Sequence, residues 1–447
     1  MGSTVELPLW LFVLIVLFAA VTFASHFLFP SVRWFFRRRM ERAVKRLNAR
    51  LERPIQPFKL LRRHDMIQRL VYDPEVTQAI VEHAEAMGVR EDVAFERARR
   101  YAREIVPSFS AWAYFGFAIR AARWLSTSLY DVRMVHQDVR LSDIDPQATV
   151  VFVMNHRSNM DYVLVTYLAA ERSALSYAVG EWARVWPLSR LIRTMGAYFI
   201  RRKSRNDLYR KVLARYVQQA TAAGVTQAVF PEGGLSLDGS LGAPKVGILK
   251  YILEGAGAAD RDVVFVPVAL NYDRVLEDTI LIAANRSGSR RFRARISVVF
   301  KAVLRQLWLR LRGRATRFGS AAVSFGAPML LDELSEEARD PDLLSGLIMG
   351  RIADAVPVLP VPLVARLVLN GVTSRAALKD TFSRCAGASS IEEPEAAFDK
   401  ALERLQKRQI LTRSCDCVTI NPDREALLTF YANSIKHLPI DHAAIAK

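Results

Sequence analysis

The chain has 447 residues, a formal net charge of +18, 51% hydrophobic and 24% charged residues, and three cysteines. This balance excludes a disordered chain and a disulfide framework, and the length allows two or three domains. The positive charge calls for an anionic partner, and nucleic acid, anionic lipid and phosphorylated substrates all satisfy it.

Residues 7–29, LPLWLFVLIVLFAAVTFASHFLF, carry no charge unless His26 is protonated. At about 1.5 Å per helical residue they are long enough to cross a hydrocarbon core of about 30 Å. Only Glu6 precedes them, with no Lys or Arg, which argues against a cleaved signal peptide. Arg33, Arg37, Arg38, Arg39, Arg42, Lys45, Arg46, Arg50 and Arg53 follow. By the positive-inside rule they face the cytoplasm. The expectation is a tail and single-pass anchor over residues 1–30 in the cell inner membrane, with the bulk of the protein on the cytoplasmic side. A basic juxtamembrane helix over residues 31–54 then rests on anionic membrane lipid, each Lys or Arg contributing about 1 kcal/mol near the surface. A nucleic-acid arm would be out of place beside a span, so no nucleic acid is expected as a partner.

Residues 55–135 read as a helical region. DPEVTQAIVEHAEAMG, Asp73 to Gly88, opens with a capping Asp and a Pro at the first helical position and closes on Gly. SFSAWAYFGFAIRAARWLSTSLY, Ser108 to Tyr130, is broadly apolar and aromatic with Arg120 and Arg123. It fits a buried core helix and an interfacial helix equally well.

Over residues 136–355 the texture becomes that of an α/β domain. VVFVMN, Thr226 to Phe230, Val263 to Leu270 and Ala321 to Ser324 read as strands, with helices such as NDLYRKVLARYVQQATAAG between them. The implied fold is a central mixed sheet flanked by helices, with its site at the strand ends. Ile296 to Arg314 is a basic and aromatic helix, a second candidate for membrane contact. Residues 356–447 form a small α+β, winged-like appendix. The Pro-rich connection PVLPVPLV is followed by helices near 363–370 and 395–408, then a strand, a turn and a closing helix. Without a basic recognition face it reads as a packing or regulatory element. Cys385, Cys415 and Cys417 stand apart from any His or second Cys pair, so structural cysteines are expected and no metal site.

The stretch MNHRSNMDY, Met154 to Tyr162, follows the strand VVFV and holds His156 and Asp161 in an H-x-x-x-x-D spacing. Five residues on one helix rotate by about 140°, which would part the two side chains. They meet only if His156 lies in a loop and a helix begins between them, with Ser158 or Asn159 as its cap. Asp161 then holds the imidazole in one tautomer and leaves the other nitrogen as a base. A loop histidine satisfied by a carboxylate is the bland alternative. Three further stretches bear on the choice. MGAYFIRRKS places Arg201 and Arg202 after an aromatic strand-like run. FPEGGLSLDG puts Glu232, Gly233 and Gly234 at a strand end, where bare amides can approach an anion, and Lys245 follows in GAPKVG. FVPVALNY sets Pro267 within a strand, a position tolerable at an edge or bulge.

In this order, NHRSNMDY, GAYFIRR, FPEGG and VPVAL resemble the four blocks of the glycerolipid acyltransferase family. The paired arginines of FIRR are more similar to its glycerol-3-phosphate branch than to its lysophosphatidate branch. The resemblance covers most of the chain after the anchor. It implies a membrane-bound enzyme moving a fatty acyl group from acyl-CoA or acyl carrier protein to the sn-1 hydroxyl of glycerol 3-phosphate, without a cofactor. It also implies that His156 takes the hydroxyl proton and Asp161 orients it. Arg201 or Arg202 and Lys245 would bind the acceptor phosphate, Glu232, Gly233 and Gly234 would shape the pocket, and Ser236 and Pro267 would complete the substrate site. Residue chemistry agrees, since guanidinium forks suit phosphate oxygens and no G-x-S-x-G elbow is present. One departure is Leu235, where the family's third block usually carries Arg; it leaves lysophosphatidate or dihydroxyacetone phosphate open as the acceptor. A catalytically silent lipid-binding protein is the reading from a different class.

Overall fold

A computed structural model of the protein describes residues 8–137, 143–169, 173–180, 188–201, 206–257, 261–288, 308, 312, 317–387, 391–414 and 416–439. The chain divides into two compact units, Met1–Pro54 and Ile55–Lys447.

In the first unit helix α1 (Leu9–Asn48) is continuous through both the expected anchor and the expected juxtamembrane segment. Its apolar side chains between Leu9 and Phe23 are mostly exposed. Among the described residues no helix is long and apolar enough to cross a membrane. The side chains of residues 24–34, into which the expected span runs, lie outside the described residues.

The second unit begins with α2 (Pro57–Leu60), α3 (Arg63–Val71), α4 (Pro74–Met87) and α5 (Glu91–Ile105). The Asp73 side chain accepts from Glu75 N at 3.1 Å to cap α4, and Gly88 ends it in the left-handed region at φ 60°. The same Asp73 carboxylate receives both branches of Arg215, at 2.9 and 2.8 Å, tying α4 to helix α9 (Asp207–Ala222). The aromatic stretch after α5 folds as a π-helix, Trp112–Ala118, running into α6 (Ile119–Leu129).

The sheet alternates with these helices. Its strands are β1 (Asp131–Gln137), β2 (Thr149–Met154), β3 (Ser176–Gly180), β4 (Tyr198–Ile200), β5 (Gln227–Val229), β6 (Val263–Tyr272), β7 (Ser320–Phe325) and β8 (Met329–Leu330). They lie in the order β1-β7-β6-β2-β5-β3-β4, with β8 beside β6. β6, β2, β5, β3 and β4 run parallel, and β7 and β8 are antiparallel to β6, so the sheet is mixed as expected. β2 and β6 are buried at every position, as strands covered by helices on both faces require. Between these strands the chain forms α7 (Met160–Ala169), α8 (Leu188–Thr194), α9, α10 (Gly247–Ala256) and α11 (Asp278–Arg286).

Pro267 corrects an expectation. It lies in the internal strand β6, opposite Val153 of β2, and neither at an edge nor in a bulge. On its other side β6 pairs with β8 through Phe265 and with β7 from Val268 onward. Pro267 stands at the changeover between these two partners, where a missing N–H breaks no ladder bond, and its carbonyl accepts from Gly326 N at 2.9 Å.

After β8 the chain adds α12 (Pro341–Asp354), α13 (Pro360–Leu369), α14 (Arg375–Gly387), α15 (Pro394–Lys407), the antiparallel pair β9 (Leu411–Ser414) and β10 (Cys417–Ile420), and α16 (Glu425–Ala432). Pro360 and Pro362, expected in a connection, instead open α13, where a fixed φ costs nothing and the first amides have no helical partner. α14 had no counterpart in the sequence reading. Cys417 is exposed on β10, Cys385 is half-buried on α14, and Cys415 lies outside the described residues. Trp308 and Arg312 apart, little of the expected helix over 296–314 is described. The core is continuous from Phe58 through the sheet to Ile435, so residues 357–435 share it.

Candidate active site

Because β2, β5 and β6 are parallel, their carboxyl ends open on one edge of the sheet, and the loops after them meet there. Asn155, the first residue past β2, is bound to β6 by its side-chain amide. Nδ2 donates to Leu270 O at 3.0 Å and Oδ1 accepts from Leu270 N at 2.7 Å, prolonging the ladder by one side chain.

His156 follows in the loop, and α7 begins at Met160, the arrangement that lets the two side chains meet. The Ser158 hydroxyl accepts from Met160 N at 3.1 Å at the start of the helix. His156 Nδ1 lies 2.9 Å from Asp161 Oδ2, and both residues are buried. That oxygen also accepts the backbone N–H of Arg157 at 2.7 Å and of Ser158 at 3.0 Å. An oxygen so placed is an acceptor, which assigns the proton to Nδ1 and leaves Nε2 as the basic nitrogen. The imidazole stacks on Phe230 at 4.1 Å and meets Tyr162 edge-on at 5.4 Å.

Two residues of the fourth segment hold this loop and were missed in the sequence. Tyr272 ends β6, and its hydroxyl donates to the other Asp161 oxygen at 2.6 Å. Glu277, in the turn that follows, accepts from the Ser158 hydroxyl at 2.8 Å and from the Asn159 amide at 3.1 Å. Burial raises the Glu277 carboxyl above its usual range. The run NYDRVLE at the end of an apolar strand was the available signal, a phenol and two acids where the chain leaves the sheet.

The glycine-rich loop closes the other side. Glu232 accepts from His156 N and from Gly242 N, each at 2.7 Å, so one buried carboxylate clips the histidine loop to the loop before α10. Burial pushes its pKa up to about 7, against the pull of those two amides. Gly233 takes φ 64°, and a Cβ there would sit 2.9 Å from Lys245 Cδ, so the lysine stem lies across it. Gly234 is half-buried in the same turn. Ser236 faces inward: its N–H donates to His156 O at 3.0 Å and its hydroxyl to Ser240 O at 2.6 Å. Arg157, buried beside the histidine, donates to Gly239 O, and burial lowers its pKa.

The structure thus brings His156, Asp161, Glu232, Gly233, Ser236 and Lys245 together. Arg201 is engaged elsewhere. Its fork meets Glu104 of α5 at 2.8 and 2.6 Å, between the rings of Tyr101 and Tyr209, and this partner raises its pKa. Arg202 lies outside the described residues. Pro267 is buried in the sheet as described above. Among the described residues no His, Cys, Asp or Glu group is arranged to hold a metal ion.

Beside the pair lies a cavity of about 320 Å³, walled almost wholly by apolar side chains. Asn159, Tyr162 and Thr166 form the wall nearest the histidine loop. Phe117, Ala122 and Leu125 come from the π-helix and α6, Tyr177 and Val179 from β3, and Leu191 and Ile192 from α8. Thr166 and Tyr177 are joined by a 2.9 Å hydrogen bond in its wall.

A buried histidine–carboxylate pair at the ends of parallel strands, next to an apolar cavity, suits transfer of a group with a long hydrocarbon part. Residues 135–271 match the family model described as Acyltransferase, and this segment is an acyltransferase domain. The glycerol-3-phosphate acyltransferase of Pseudomonas syringae pv. syringae is 28% identical over 418 residues, which are 84% of this chain and 48% of that protein. That of Ectopseudomonas mendocina is 30% identical over 342 residues, 71% and 40% respectively. That of Shewanella loihica is 28% identical over 431 residues, 86% and 51%. The chain spans about half the length of the curated relatives it matches. A solved 1-acyl-sn-glycerophosphate acyltransferase from Thermotoga maritima is similar at 19% identity and a TM-score of 0.33, over 54% of this chain and 77% of that one. The likeness is to glycerol-3-phosphate acyltransferases, the branch of the glycerolipid acyltransferases that the four blocks implied.

Proposed function

We propose that this chain moves a fatty acyl group from acyl-CoA or acyl carrier protein to the sn-1 hydroxyl of glycerol 3-phosphate, giving lysophosphatidic acid. The observation that carries the reading is the His156–Asp161 bond of 2.9 Å beside an apolar cavity. His156 Nε2 takes the hydroxyl proton as the oxygen attacks the thioester carbonyl. Asp161 favours the imidazolium that results. The C–S bond then breaks, and the departing thiolate takes the proton back from Nε2, so the base is restored. The hydrocarbon chain occupies the cavity behind Tyr162, which buries it as apolar ligands require. Lys245, held over Gly233, and Arg202 meet the acceptor phosphate; Glu232 shapes that pocket through its hold on the two loops.

A bilayer is the proposed setting, at the cell inner membrane with the catalytic unit on the cytoplasmic side. Support comes from the uncharged stretch through residue 29 with its basic sequel, and from exposed aromatics next to the cavity. Trp112, Phe117 and Trp124 are all more than half exposed, and neither Ser108–Tyr130 nor residues 188–201 contain an acidic residue, while Arg120, Arg123 and Arg190 do lie there. Aromatic rings with arginines and no acid match an anionic interface.

The test is an acceptor panel. The full chain, reconstituted in phosphatidylglycerol-containing vesicles with a labelled acyl thioester, is given glycerol 3-phosphate, dihydroxyacetone phosphate or lysophosphatidate. Label in lysophosphatidate from glycerol 3-phosphate is expected. Incorporation with lysophosphatidate alone would reassign the acceptor, and none with any acceptor would favour a silent lipid-binding protein.

A further inference from the structure

Asp161 serves two clients at once. Oδ2 receives the imidazole and two backbone amides, while Oδ1 receives the Tyr272 hydroxyl at 2.6 Å, across 111 residues of sequence. The Tyr272 ring is buried at the end of β6 and packs edge-on against Tyr130 at 5.4 Å, so the phenol has one fixed direction. We infer that Tyr272 is a positioning residue that sets how tightly the His156–Asp161 pair holds a proton. The inference rests on the proposed role of His156 as base.

The physical basis is the competition for one carboxylate. A phenol donating to Oδ1 draws on the charge that Oδ2 offers to the imidazolium, so the pair takes up a proton less readily than it would alone. Tyr272 does not itself change state near neutrality, because burial and the neighbouring Asp161 hold its proton on. The other groups facing the pair are Arg157 and Tyr162 on the same segment, Glu232 beyond β5, Glu277 after β6 and Tyr130 at the end of α6. Among the described hydrogen bonds, Tyr272 is the partner from outside the histidine segment that touches Asp161.

The experiment is the pH dependence of His156 C2–H exchange for deuterium in the full chain, read by mass spectrometry on the peptide containing His156. Y272F removes the hydroxyl and keeps the ring against Tyr130. The midpoint is expected to move upward by about 0.5–1 unit, part of the worth of a hydrogen bond to a charged group. Where Y272F transfers acyl groups, the acid limb of kcat/KM moves with it. In a D161N background Y272F is expected to shift nothing further. An unmoved or lowered midpoint overturns the inference, and so does an equal shift in the D161N background. Failure of the acyl-transfer reading would show in the acceptor panel instead, and the exchange midpoint remains readable without turnover.

Discussion

Replacing Glu232 by Gln tests the most strained electrostatic element of the site. Its carboxyl is buried and pushed up to about 7 from 4.5, although two amides at 2.7 Å favour the ionised form. Burial is the larger effect. Between pH 4.5 and 7 the unfolded chain has released this proton while the folded chain retains it. Stability from the group is therefore complete below pH 4.5 and is lost as the pH rises to 7. The shift of about 2.5 units corresponds to about 3 kcal/mol. Gln cannot titrate, and its NH2 must face one of the two backbone donors, which costs about 1–3 kcal/mol at low pH. Urea unfolding in detergent micelles, followed by tryptophan fluorescence, gives both stabilities at pH 5 and pH 8. The parent should lose about 3 kcal/mol more than E232Q over that interval, closing the gap between them. Parallel pH dependences would refute the reasoning, because other buried acids such as Glu277 and Asp273 are common to both chains.

Asp161→Asn keeps a carbonyl oxygen for the three Oδ2 donors and turns its NH2 toward the Tyr272 oxygen, so charge is lost with little change in shape. kcat should fall by about 10²–10⁴-fold with the melting temperature nearly unchanged. Gly239 takes φ 88°, and a Cβ there would overlap the carbonyl oxygen of Phe430, so Gly239→Ala should destabilise by about 3 kcal/mol in urea titrations. Arg201→Ala removes two charge-assisted hydrogen bonds from the buried Glu104 carboxylate and should lower the unfolding free energy by about 1.5–3 kcal/mol, more than a lost phosphate contact would explain. Ala122→Phe fills part of the cavity, and turnover should drop more for long-chain than for short-chain acyl thioesters.

What the sequence made legible was local. The strands observed over 149–154 and 263–272 were readable as the apolar runs VVFVMN and Val263 to Leu270, and helix α4 from its Asp73 cap and Gly88 stop. For the His156–Asp161 contact, geometry supplied a condition, a helix beginning between the two, and the resemblance of the four blocks supplied the pairing. Residues whose partners lie far away were out of reach. Tyr272 meets Asp161 and Glu277 meets Ser158 only after β6 is laid beside β2. Arg201 looked like a phosphate clamp because nothing local shows that α5 delivers Glu104 to it. Pro267 argued for an edge or a bulge because proline has no N–H to give a ladder, whereas β6 changes from β8 to β7 at that residue. The last ninety residues gave no hint of their service to the site. Arg404 reaches Asp273 at 3.0 Å and Arg408 reaches Asp278 at 2.7 Å, which holds the turn carrying Glu277 from both sides.

The central claim is that the buried imidazole abstracts the proton of the acceptor alcohol. Its most direct test is the initial rate of labelled lysophosphatidate formation from glycerol 3-phosphate by the parent chain and by His156→Ala, at matched amounts of folded protein in vesicles. The account predicts a fall of at least about 10²-fold. Equal rates in the two chains would contradict it.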